Sequence, residues 1–175
     1  MDDLIAQVQP MIPALRRYAR GLLRDPAAAD DAVQDCLERV VAHWHRRRNR
    51  NARSWVFAIL HNVAVNQLRQ CARRGILLPV EDAGEDALAS RPMQEDPLIR
   101  RDIFAALACL PEEQHSVILL VSVEDMTYAE AAEVLGVPVG TVMSRLSRGR
   151  ERLRSILDHP DMSDKRSRSH LRSIT

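Results

Sequence analysis

Apolar residues recur at helical spacing from the first turns of the chain, at Ile5, Val8, Ile12, Leu15, Ala19 and Leu22. A repeat every three to four residues marks an amphipathic helix. Pro10 and Pro13 interrupt it. Each lacks an amide N–H, so this helix starts late or kinks. "RDPAAADDAVQDCLERVVAHW" predicts a second helix. Asp25 suits its N-cap, Pro26 its first position, and Asp30 and Asp31 follow near the positive end of the dipole. Val33, Cys36, Leu37, Val40 and Trp44 form its apolar stripe. "HRRRNRNAR" breaks the pattern as a basic loop. A third helix follows, with Ser54 as a candidate cap and Phe57, Leu60, Ala64, Leu68 and Cys71 on its inward face.

Periodicity stops at Gly75 and returns only after Pro97. The intervening "GILLPVEDAGEDALASRP" is rich in Gly, Pro and acids and reads as a linker, although Ile76, Leu77 and Leu78 have the character of docking residues. A helix over Leu98–Leu110 carries Ile99, Ile103, Phe104 and Leu107. Pro111, Glu112 and Glu113 then open another, with Val117, Ile118, Leu120 and Val121 apolar. Thr127 followed by Glu130 fits a capping box, and Gly136 suits the left-handed residue that ends a helix. Pro138 starts the last helix, so two helices meet across a tight Gly-containing turn, the helix-turn-helix signature. The pattern predicts an all-α protein: two small helical domains, residues 1–75 and 98–157, joined by a flexible acidic linker over 76–97, with a polar tail over 158–175.

The net charge of +1 is uninformative until it is placed along the chain. Residues 1–75 hold 13 Arg against 7 Asp/Glu, residues 76–100 hold 2 Arg against 6 acids, and Pro138–Leu157 holds five Arg against one Glu. Two basic segments flanking an acidic one point to a polyanion, nucleic acid first. Aromatics are 3% of the chain, so Leu, Val, Ile and Ala must build the core. In the 175 residues each half would bury only a modest core. Cys36, Cys71 and Cys109 show no paired spacing. Reduced thiols are expected, the first two in the core. His43 and His45 sit two apart, off a common helix face, so no metal is expected. No phosphate-binding Gly loop or nucleophile–base pair appears, so neither a cofactor nor an enzyme activity is expected. With no signal peptide and no membrane-length apolar run, the reading is cytoplasmic, without membrane insertion.

Val142, Leu146, Gly149 and Leu153 form the inward face of the last helix, with Gly149 admitting a neighbouring backbone. Thr141, Ser144, Ser147 and Arg148 point away, flanked by Arg145 and Arg152. Hydroxyls first and guanidiniums after them suit a helix whose early turns enter the major groove. In the third helix Asn62, Asn66, Arg69 and Arg73 fall at i, i+4, i+7 and i+11, opposite the apolar face and on the same side as Trp55. Amides read base edges and Arg holds phosphate. The loop before it, with Arg47, Arg48, Asn49 and Arg50, suits an unpaired strand better than a duplex groove.

The chain resembles the extracytoplasmic-function sigma factors of bacterial RNA polymerase. "RDPAAADDAVQDCLERV" is similar to the polymerase-binding helix of the family's region two. "ARSWVFAILHNVAVNQLRQCARR" is similar to the segment that reads and melts the −10 element. "LPEEQHSVILLVSVEDMTYAEAAEVLGVPVGTVMSRLSRGRERLR" resembles region four, which reads the −35 element. The resemblance spans residues 4–157, with the three blocks in order.

The resemblance implies a protein that binds core RNA polymerase, directs it to promoter DNA and helps open the duplex, under control of an anti-sigma factor. It places core binding on Asp31, Gln34, Asp35 and Glu38. It maps −10 recognition to Asn62, Val63, Ala64 and Asn66, with the 46–53 loop holding a flipped base, and −35 recognition to Thr141, Ser144, Arg145 and Arg148. Extruding a base costs a few kcal/mol, which pocket contacts must offset. The chain departs from the family in three places. Met143 stands where the family usually carries Lys or Arg, the basic loop lacks aromatic residues, and the tail is long. Two other readings stay open: a sigma-like decoy that titrates an anti-sigma factor, and a simple helix-turn-helix repressor. The repressor leaves the Asn/Arg stripe and the acidic helix unused.

Overall fold

The computed structural model describes residues 2–47, 51–73, 103 and 105–158. The linker over 76–97, Ile99, Phe104, the loop residues Arg48, Asn49 and Arg50, and the tail beyond Asp158 lie outside the described residues.

The proline pair kinks the first helix rather than delaying it. Helix α1 (Asp2–Val8) passes through a 3-10 turn, Gln9–Met11, into α2 (Ile12–Leu23). The turn tolerates Pro10, and Pro13 falls in the first turn of α2, where an amide N–H has no partner to lose. Helix α3 (Pro26–His43) begins as its sequence predicts. The Asp25 carboxylate accepts from the amides of Ala27 and Ala28 at 2.9 Å and 3.2 Å, the arrangement of an N-cap. Val33, Cys36 and Val40 are buried.

Helix α4 (Ala52–Arg73) corrects one expectation. Its N-terminus is capped by Asn51, whose side-chain oxygen accepts from the Arg53 amide at 3.0 Å. Ser54 lies inside the helix, buried, and its hydroxyl has no partner among the described residues. Phe57, Leu60 and Ala64 are buried as expected, and Val56, Val63 and Val65 join them. Leu68 and Cys71, toward the far end, are only half-buried. The arc is wide because α4 is covered on several sides, by α2, by α3 and by the second half of the chain.

That second half holds α5 (Glu112–Ile118), a π turn over Leu119–Val123, α6 (Tyr128–Leu135) and α7 (Val139–Asp158). Residues 103 and 105–108 are helical ahead of α5. The capping box is complete. Thr127 Oγ1 accepts from the Glu130 amide at 3.2 Å, and the Glu130 carboxylate accepts from the Thr127 amide at 2.9 Å. Gly136 ends α6 at φ 64°. A side chain there would cost backbone strain. Val142, Leu146 and Gly149 are buried against α5 and α6. A Cβ on Gly149 would meet Ile118 Cδ1 at 2.9 Å, Gln114 Cβ at 3.3 Å and the Gln114 carbonyl oxygen at 3.5 Å, so side chains approach first and the backbone just behind.

The two halves pack on each other, and their buried residues form one hydrophobic cluster. Helix α6 lies on α4, and Leu119 enters beside Gly21 of α2, where an added Cβ would stand 3.0 Å from Leu119 Cδ2. Two modest cores become one larger one, the outcome that favours stability in a chain of this size.

Candidate polymerase and nucleic-acid interfaces

Asp31, Gln34, Asp35 and Glu38 lie along the outer face of α3, with Gln34 donating to Glu38 at 3.2 Å. Asp30 differs, lying 3.8 Å from both Arg16 and Arg20 of α2, a structural role. Val41 is 57% exposed on the same side of α3, which adds an apolar spot to an acidic surface. Charge around an apolar spot is the usual make-up of an interface.

Asn62, Asn66, Arg69 and Arg73 are exposed in a single line along α4. Val63 and Val65, immediately beside this line, are buried, so the stripe is narrow. The basic loop is not without aromatics nearby. Trp44 arrives from the end of α3 and Trp55 from the start of α4, and their ring centroids stand 6.0 Å apart, edge to face. Aromatic pairs favour that geometry. The Arg47 guanidinium lies over the Trp44 ring at 4.1 Å and donates to Gln7 at 3.0 Å, a cation on an aromatic face. Sequence reasoning missed this pair because the basic loop separates the two tryptophans along the chain.

Thr141 is half-buried at the start of α7, while Ser144 and Arg148 are exposed. The Ser144 hydroxyl donates to the Thr141 carbonyl at 3.0 Å. Arg145 is held by Glu113 of α5 at 3.1 Å, which fixes its direction. Met143 is 52% exposed on the flank of this surface, beside Tyr128.

A further cluster joins the two halves. Glu124 is 1% exposed, and Arg17 of α2 grips its carboxylate with Nε and Nη2 at 2.8 Å and 2.6 Å. The Arg53 guanidinium donates to the Glu124 carbonyl, and Asn51 donates to Glu130 at 3.0 Å. Arg69 lies 4.0 Å from Glu112. Burial pushes the Glu124 carboxyl up, and Arg17 opposes that shift. Nearby, the Tyr18 hydroxyl and His61 Nδ1 stand 2.9 Å apart. Burial lowers His61 to about 4, helped by Arg69 and Arg145, and lowers His115 to about 3, helped by Arg24. Cys36 is buried, its thiol directed at the Val56 carbonyl and raised by desolvation to about 12, which suits a packing role. The only sequence-level hint of the Glu124 cluster is an acid set inside an apolar run.

An exposed acidic face on α3, an Asn/Arg line on α4 beside the Trp44–Trp55 pair, and a capped helix-turn-helix place the chain in the class of helical DNA-binding proteins. The description "Sigma-70, region 4" matches residues 100–153, and "Sigma2 domain of PhyR" matches residues 8–61. The chain is 34% identical over 160 residues to the ECF RNA polymerase sigma factor EcfG of Rhodopseudomonas palustris (strain TIE-1), covering 89% of this chain and 83% of that protein. It is 32% identical over 152 residues to the RNA polymerase sigma-E factor of Streptomyces coelicolor, covering 85% and 82%. Its fold is similar to that of the Bartonella quintana sigma factor RpoE in complex with the anti-sigma factor NepR. The TM-score is 0.74 at 30% identity, covering 90% of this chain and 98% of that one. The chain belongs to the ECF RNA polymerase sigma factors.

Among the described residues no helix is long and apolar enough to cross a membrane, and no group of three or more metal-ligating side chains comes together.

Proposed function

We propose that this sigma factor binds core RNA polymerase, directs it to promoters with two separated elements, and is restrained by an anti-sigma factor. It works in the cytoplasm and carries out no chemistry of its own. Asp31, Gln34, Asp35 and Glu38 on α3 meet a basic polymerase surface. Asn62, Asn66, Arg69 and Arg73, with Arg47, Arg48, Asn49 and Arg50 of the loop, hold the opened −10 strand. Thr141, Ser144, Arg145 and Arg148 read the −35 duplex. The boundaries of this division are residues 1–75 for polymerase and −10 binding, 76–97 for the linker and 98–157 for −35 binding. The observation that carries the reading is the exposure, in one chain, of the acidic line on α3 and the Asn/Arg line on α4 together with a capped helix-turn-helix. The likeness to a sigma factor captured with an anti-sigma factor supports the restraint.

The test is in vitro transcription with bacterial core polymerase on a promoter-fragment library, with and without the protein. Protein-dependent transcripts sharing two spaced upstream elements support the reading. Core binding without transcripts favours the decoy, and no core binding sinks the polymerase assignment.

A further inference from the structure

Residues 103–144 contain six Asp and Glu and no Lys or Arg, and this acidic stretch lies against a half of the chain that carries a large Arg excess. The contacts are directional. Arg17 forks onto the Glu124 carboxylate, Arg53 donates to the carbonyl of the same residue, and Asn51 donates to Glu130. Three donors from α2 and the root of α4 therefore converge on the short acidic segment 124–130. Asn51 and Arg53 directly follow the basic loop assigned to the −10 strand.

A fork of two N–H groups on two oxygens is the geometry with which arginine holds either a carboxylate or a phosphate. Stability alone does not explain such a pair. Desolvating two charges cancels most of their attraction, so a buried ion pair is near neutral against an apolar replacement. An exchangeable partner does explain it. The exchange is also required by geometry. Helix α6, the first helix of the helix-turn-helix, packs on α4, so the two reading surfaces lie side by side in this state. Promoter elements more than one turn apart, over about 34 Å, cannot both be engaged until the halves separate. Separation strips Arg17, Arg53 and Asn51 of their partners at the edge of the −10 surface.

We propose that Arg17, Arg53 and Asn51 form a backbone-phosphate site for single-stranded DNA, and that Glu124 and Glu130 occupy it in the free chain as an internal mimic of that backbone. This rests on the −10 assignment of α4. The free protein is masked, and masking and DNA compete for the same donors.

The two sides of one ion pair then act with opposite sign, which a purely structural pair does not do. The first measurement is the affinity of the full-length protein for a fluorescein-labelled oligothymidine 12-mer across a salt series, with small-angle scattering to follow the separation of the halves. E124Q should bind at least about five-fold tighter than wild type and be more extended. R17Q and R53Q, each made in the E124Q background, should each reduce that affinity about five-fold and lower the log–log salt slope by about 0.7 per lost phosphate contact. Thermal melts identify any variant that fails to fold, and R17K, which keeps the charge, should retain most of the binding. Loss of affinity in both E124Q and R17Q, or an extended E124Q that binds no tighter, overturns the proposal. If N62A also leaves promoter opening by the holoenzyme unchanged, the −10 assignment falls with it. If N62A abolishes opening while R17Q and R53Q leave affinity and slope untouched, the phosphate site alone is wrong.

Discussion

Gly149 sits on the buried side of the recognition helix, where two opposing effects of one methyl group can be weighed. Replacing a mid-helix glycine by alanine favours the helix by about 1 kcal/mol. The same Cβ would stand 2.9 Å from Ile118 Cδ1 and 3.3 Å from Gln114 Cβ, closer than carbon atoms pack. Ile118 is buried and α5 is pressed against α7, so relief requires a rotamer change or a shift of the helix. Overpacking of this kind costs about 1–3 kcal/mol. Gly149→Ala should therefore destabilise the protein by about 0–2 kcal/mol despite the gain in propensity. The tightest contact is with one atom, Ile118 Cδ1, which allows a sharper test. Ile118→Val removes Cδ1 and alone costs about 0.5–1.5 kcal/mol. In the double variant the new methyl fills the space left by the old one, and the propensity gain is released. Its stability should return close to wild type, at least about 1 kcal/mol better than the sum of the single effects. Urea unfolding followed by circular dichroism, with m-values compared across the cycle, gives the answer. Duplex −35 binding by the double variant should be unchanged, because Ser144 and Arg148 lie on the opposite face. A Gly149→Ala variant more stable by the full propensity gain, with additive single effects, would refute the close α5–α7 contact.

Thr127→Ala removes the capping-box hydroxyl and should cost about 1 kcal/mol, with Thr127→Ser recovering most of it in the same melts. Stability should fall as pH drops from 6.5 toward 4. His61 and His115 titrate near 6.5 when unfolded but at about 4 and about 3 when folded, so the unfolded chain binds their protons first. Each contributes a slope of up to about 1.4 kcal/mol per pH unit, and His115→Gln should flatten the profile of Tm against pH. Arg148→Ala should weaken binding to a −35 duplex by about 1–3 kcal/mol while leaving −10 opening intact, and Asn62→Ala should do the reverse; footprinting of each element separates them.

Local rules carried the reading furthest. The Asp25 cap, the proline at the start of α3, the Thr127–Glu130 box and the left-handed Gly136 are each decided within four residues, and each is present as read. The stripe on α4 was legible because exposure follows helical period. Ser54 failed as a cap for an equally local reason: Asn51 offered a better acceptor one residue before the helix, and Ser54 was then carried into the core. What periodicity could not supply was the partner of each face. Val63 and Val65 flank a polar line and look half-exposed in a lone helix, yet both are buried because α4 is enclosed on several sides. The Trp44–Trp55 contact, the Arg17–Glu124 fork and the Leu119–Gly21 approach span the loop, both halves and the linker, and none leaves a trace in spacing.

The Glu124 fork also connects the charge distribution to the regulatory state. Arg excess in the first half is what DNA binding requires, and a chain with that excess alone would bind any polyanion. The six acids of residues 103–144 come with no Lys or Arg among them, so they screen the Arg-rich half only while the halves are together. If polymerase binds through α3, as proposed, it uses a face that this packing leaves exposed, and core can then engage the closed chain before DNA does. The order of events then follows from which surfaces are already free: polymerase first, separation of the halves next, and unpaired DNA last. A variant opened by Glu124→Gln should lose that order. It should bind single-stranded DNA in the absence of polymerase, and added oligothymidine should compete with promoter-directed transcription by the variant more strongly than by the wild type. Equal competition in both would mean that the halves separate freely in the native chain and that the acidic grouping imposes no order.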